Sequence, residues 1–114
     1  MKWDAIDRGI IVLLATGEKT ITELINDVWE LSGGTDRRRA DATMRYRLQK
    51  LIDEGYIAMN RETKQYSMLN CEVVQGEFIG KRISTDEVVQ IPMDYTILLY
   101  DKENLVGILP VNET

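Results

Sequence analysis

The stretch Ala40–Tyr66, ADATMRYRLQKLIDEGYIAMNRETKQY, decides the fold of this chain. Met44, Leu48, Leu51 and Ile52 recur at the i, i+4, i+7, i+8 spacing that gathers apolar side chains on one face of a helix. The opposite face of the same wheel collects Arg39, Ala42, Thr43, Tyr46 and Lys50, with Arg45, Gln49 and Arg47 on its flanks. A helix over about residues 39–54 is therefore predicted, apolar on one side and basic on the other. Gly55 supplies the left-handed backbone that closes a helix at little steric cost. Beyond it the period falls to two: Tyr56–Met59 and Gln65–Met68 read as strands, with the polar Asn60–Lys64 as their turn.

The pattern Leu48-Gln49-Lys50-Leu51-Ile52-Asp53-Glu54-Gly55-Tyr56-Ile57 resembles the winged helix-turn-helix family of prokaryotic transcription regulators, over residues 4–70. In that family a third helix ending in L-x-x-L-x-x-x-G-[LY]-[IV] runs straight into a wing. The resemblance implies a DNA-binding domain over 1–70, with helix 3 in the major groove and a wing over 56–68 on the backbone. Residue by residue it implies contacts from Ala42, Thr43, Tyr46 and Arg47 near base edges. Phosphate contacts would come from Arg37, Arg38, Arg39, Arg45 and Lys50, and from Arg61 and Lys64 of the wing. A homodimer is the expected assembly, because two half-sites raise affinity.

Upstream, Ile6, Ile10, Leu13 and Leu14 share a helical face, and Asp4 and Asp7 sit in the first turn where the macrodipole favours acids. This predicts helix 1, ended by Gly17. Thr20-Ile21-Thr22-Glu23 is a capping box. It opens a second helix to about Leu31, with Ile21, Leu24, Ile25, Val28 and Leu31 inward. Ser32-Gly33-Gly34-Thr35 breaks that helix and makes the turn before the arginine run longer than the family's tight one. Arginines at the start of a helix reinforce the anion preference of its own N–H groups; a solvated charged loop is the bland alternative.

Charge is unevenly spread. Residues 1–71 carry 11 bases and 11 acids, whereas residues 72–114 carry three bases and eight acids, so the whole −5 belongs to the tail. Within Thr35–Lys50 six bases face Asp36 and Asp41, a local +4. With a Debye length near ~8 Å at physiological salt, such a patch steers a polyanion although the far side of the protein is acidic.

From Cys71 onward the texture is β-branched and aromatic, and Cys71–Gly80, Thr96–Tyr100 and Leu105–Leu109 read as strands. Gly76, Gly80 and Gly107 are expected at bulges or bends, and Pro92 and Pro110 at strand ends or edges. Ser84–Gln90 reads as turn then strand. The fold class predicted is α+β: an N-terminal three-helix winged helix with a β-hairpin wing, then a small antiparallel β extension over 71–114 for dimerisation or regulation.

The chain has no His and a single Cys71, so no internal disulfide and no His-built metal site are expected. Neither G-x-x-x-x-G-K-[ST] nor G-x-G-x-x-G occurs, and no cofactor is expected. Asp53-Glu54 and Asp86-Glu87 are adjacent rather than convergent, and no hydroxyl has a histidine partner, so no catalytic residue and no enzymatic activity are expected. Trp3 and Trp29 read as core. With no long apolar run the expectation is a cytoplasmic protein without a membrane span. The residues point to no small-molecule effector, although a regulator of this kind admits one. The alternative reading is a winged-helix protein–protein interaction module that uses the basic face and the acidic C-terminal sheet.

Overall fold

A computed structural model describes residues 2–29, 37–81 and 88–110. The chain divides into two units, Met1–Leu69 and Asn70–Thr114.

In the first unit the order is α1 (Ala5–Leu14), β1 (Lys19–Thr20), α2 (Ile21–Leu24) continued by a π turn (Ile25–Trp29), α3 (Arg37–Asp53), β2 (Ile57–Asn60) and β3 (Gln65–Met68). The core is made by Ile10, Ile11 and Leu14 of α1, Leu24, Ile25 and Val28 of the second helical segment, Ala40, Met44, Leu48 and Leu51 of α3, and Ile57 of β2. Met44, Leu48 and Leu51 are on the apolar stripe read from the sequence, while Ile52 is half-buried.

The predicted three-helix winged helix with a two-stranded wing and a small extension requires correction. Helices and strands are interleaved: β1 lies between α1 and α2 and pairs antiparallel with β3, Lys19 opposite Tyr66 and Thr20 opposite Gln65. The sheet is thus three-stranded, in the order β1-β3-β2. A two-residue strand is too short to show a period, which is why Lys19-Thr20 reads only as the approach to a cap. The second helix, expected to Leu31, has one α turn before it widens, and residues 30–36, including the Ser32–Thr35 break, lie outside the described residues. Gly9 explains the close approach at that point. A Cβ on Gly9 would stand 3.3 Å from Val28 Cγ1.

Caps fix the element ends. Thr20 Oγ1 accepts from Glu23 N–H, and Glu23 Oε1 accepts from Thr20 N–H at 3.0 Å, the predicted capping box. At the end of α3, Gly55 N–H donates to Ile52 O and Tyr56 N–H to Leu51 O, a Schellman closure with Gly55 at φ 84°. Tyr56 then packs against Trp3 in a tilted arrangement, ring centroids 5.5 Å apart and planes at 54°.

The second unit is an antiparallel meander, β4 (Cys71–Lys81), β5 (Val88–Asp101) and β6 (Asn104–Pro110). β5 is much longer than the predicted Thr96–Tyr100. Pro92 is not at its end but within it, opposite Glu77. That stretch tolerates proline because, among the described residues, β6 pairs only with Thr96–Asp101 and the residues before Thr96 pair with β4 alone. Register shifts beside Gly76 and Gly107 mark bulges, whereas Gly80 pairs regularly with Val89. Of the expected turn-then-strand over Ser84–Gln90, Val88–Gln90 belong to β5, and 84–87 lie outside the described residues.

Candidate nucleic-acid interface

A 17-residue helix buried along one stripe must present another to its surroundings. On α3 the exposed stripe is Arg39, Ala42, Arg45, Tyr46, Gln49 and Asp53. Tyr46 is 60% exposed, which is high for an aromatic at the middle of a helix. The stripe is polar along its length, with bases toward the N-terminal half and Asp53 and Glu54 at the C-terminal end.

This stripe is rotated from the one expected. Thr43, Arg47 and Lys50 form a half-buried row beside it, and the cause is Arg47. Its Nη1 lies 2.5 Å from Asp4 Oδ2 and 3.1 Å from Asp7 Oδ2. Asp7 is a carboxylate on the buried face of α1, its side chain 1% exposed, in line with Ile10, Ile11 and Leu14. An ionised carboxylate there needs a cation and hydrogen bonds to offset desolvation. Arg47 supplies the charge, and the backbone N–H of Asp4 donates to Asp7 while that of Asp7 donates to Asp4, a reciprocal cap at the start of α1. The expected base-edge contact of Arg47 thus has a competitor within the fold, since its Nη1 is engaged by Asp4 and Asp7. Sequence reasoning missed this clamp. The signal was an acid at i with Ile10, Ile11 and Leu14 at i+3, i+4 and i+7.

The network shifts its two acids in opposite directions. Burial pushes the Asp7 carboxyl up, reinforced by the Asp4 charge, against the pull of the Asp4 N–H and Arg47. Asp4, more open, is pushed up by burial but carried below its ordinary range by the Asp7 N–H and by Arg47.

The other expected contacts fall as follows. Arg45 is 63% exposed, and its Nε donates to Asp41 Oδ2 at 2.8 Å, which raises the guanidinium further above its ordinary value. Lys50 places its Nζ 5.3 Å from the centre of the Tyr46 ring, a cation–π contact. Arg39 and Ala42 are exposed. Arg37 and Arg38 form the first turn of α3, but their side chains lie outside the described residues.

Arg61 and Lys64 are exposed on the β2–β3 turn. Asn60 organises that turn: its Oδ1 accepts from Glu62 N–H and its carbonyl from Lys64 N–H, with Lys64 left-handed at φ 60°. The basic tip is thus held by local hydrogen bonds rather than by packing.

Comparison with known proteins finds no match. No family model, no curated protein and no solved structure corresponds to this chain. The resemblance over residues 4–70 stands on the sequence pattern alone. Among the described residues no His, Cys, Asp and Glu group could hold a metal ion, and no helix is long and apolar enough to cross a membrane.

Proposed function

We propose that this chain is a sequence-specific DNA-binding protein, a homodimeric transcription regulator, that seats the N-terminal half of α3 in the major groove. The observation that carries the reading is the exposed stripe Arg39-Ala42-Arg45-Tyr46-Gln49. It combines cations for phosphates, an amide and a guanidinium for base edges, and an alanine small enough to admit the helix. An α-helix fits the major groove in cross-section. The only acid in this half of α3, Asp41, is engaged by Arg45. Arg61 and Lys64 add two cations on a turn that a backbone phosphate can approach.

The test is affinity for mixed-sequence duplex DNA as a function of salt. Wild type is compared with Arg45→Ala/Lys50→Ala and with Arg61→Ala/Lys64→Ala, Arg47 being left in place because it holds the fold. Phosphate contact by both residues of a pair lowers the log–log slope by about two. Absence of binding by wild type at low salt would refute DNA as the partner and turn attention to an acidic protein ligand for the same face.

A further inference from the structure

Asp41 is an odd residue to find on a surface that meets a polyanion. It stands one turn before Arg45, both side chains are largely in water, at 46% and 63% exposure, and they meet through a single contact, Nε to Oδ2 at 2.8 Å. As a stabilising pair this is worth little: exposed i,i+4 ion pairs contribute roughly 0.3–0.5 kcal/mol. On the DNA side the acid has a cost, since its charge opposes every phosphate nearby. Stability alone does not account for it.

The geometry does. An arginine offers two hydrogen-bonding edges, Nε with one terminal nitrogen, or the two terminal nitrogens together. Asp41 occupies Nε, and among the described residues no hydrogen bond occupies Nη1 or Nη2 of Arg45. The contact biases the side chain near its end while its terminal fork stays open. A fork of two parallel donors matches the O6 and N7 acceptors of guanine in the major groove, whereas a flexible arginine would have to be ordered on binding. Next to it Tyr46 has the Lys50 ammonium 5.3 Å from its ring centre.

We infer that Asp41 is a positioning residue that aims Arg45 at a guanine edge, which makes the Asp41–Arg45 pair the specificity determinant of α3. The inference rests on the DNA reading above and goes beyond it, since Arg45 then reads a base rather than a phosphate.

Opposite signs make the test decisive. The wild-type chain is used to select duplexes from a randomised pool, and affinities for the selected and a scrambled duplex are measured for wild type, Asp41→Asn and Arg45→Ala. Removing a surface acid strengthens non-specific binding by any electrostatic account. Positioning requires in addition that Asp41→Asn weakens the preference for the selected duplex by about twofold, and that the preference is relaxed at the same guanine that Arg45→Ala releases. Tighter binding of both duplexes with the preference intact would overturn the inference and leave the DNA reading standing. Salt-independent or absent binding by wild type would overturn both.

Discussion

Arg47 carries more of the fold than its place on a basic helix suggests. Its Nη1 bridges Asp4 and the buried Asp7, joining the start of α1 to the middle of α3. Truncating it strands a carboxylate with no exposed surface, so Arg47→Ala should lose about 2–3 kcal/mol, less than a fully buried pair because Asp4 and part of the guanidinium touch water. Urea unfolding checks this; a loss under half a kilocalorie, of the order of an exposed pair, would show the clamp to be ornamental. Asp7 gives a sharper sign test. Its folded pKa is raised above the ordinary 3.8, so its ionisation costs stability that is absent at low pH and develops as pH rises from the unfolded value through the folded one. Asp7→Asn abolishes that cost while an amide oxygen can still accept from Asp4 N–H. Relative to wild type, the variant should therefore gain stability as pH rises from about 4 toward neutrality. A relative loss over the same range would mean that Arg47 outweighs burial. Asp4 contributes oppositely: its lowered pKa gives stability that is present above 3.8 and is lost as pH falls through the folded value. The sequence showed the three charges but not their pairing. Nothing in a one-dimensional pattern says that a residue forty positions away faces Asp7.

At the scale of elements, legibility followed periodicity. The stripe Met44-Leu48-Leu51, the Thr20–Glu23 box and the Gly55 closure were readable because each is a local pattern with a fixed spacing. β1 was not, being two residues whose conformation is decided by the free edge of β3. β5 was read short because only Thr96–Tyr100 carries a continuous run rich in β-branched and aromatic residues. Pro92 lies within the strand on an edge stretch, since β6 pairs only from Thr96 onward. The exposed face of α3 was read one row out, since a helical wheel weighs charge without knowing that Asp7 draws Arg47 inward. Turn chemistry yields the prediction for this scale. Lys102, first of the two loop residues between Asp101 and Asn104, sits at φ 59°, in the left-handed region that a two-residue hairpin loop requires at this position. That position favours glycine, and an L-residue there costs about 1 kcal/mol. Lys102→Gly should raise the midpoint of urea unfolding, offset in part by glycine's greater unfolded-state entropy. A lower midpoint would show that the lysine stem packs on the sheet.

For the whole molecule, charge and size point to the same conclusion. The net acidity is confined to residues 72–114, and the neutral remainder holds the basic stripe, so a chain of net −5 can still present cations to a polyanion. The second unit has only about 45 residues and three strands; among the described residues Thr96, Ile97, Leu98, Leu99 and Leu105 are buried, and Val74, Tyr100 and Ile108 pack beside Leu98 and Leu105. Sheets of this size usually need a disulfide, a metal or an association to hold them. A single cysteine excludes an internal disulfide and no metal-binding group occurs among the described residues, so association is the source of burial to test. If two copies supply it, folding and dimerisation are linked, and mass action makes the melting temperature rise with chain concentration. Calorimetry of the full chain over a wide concentration range, with light scattering on the same samples, should show a dimer whose midpoint climbs as concentration increases. A monomer with a fixed midpoint would place the burial within one chain, and the half-site geometry expected of a dimeric DNA reader would then have to come from two chains meeting only on the duplex.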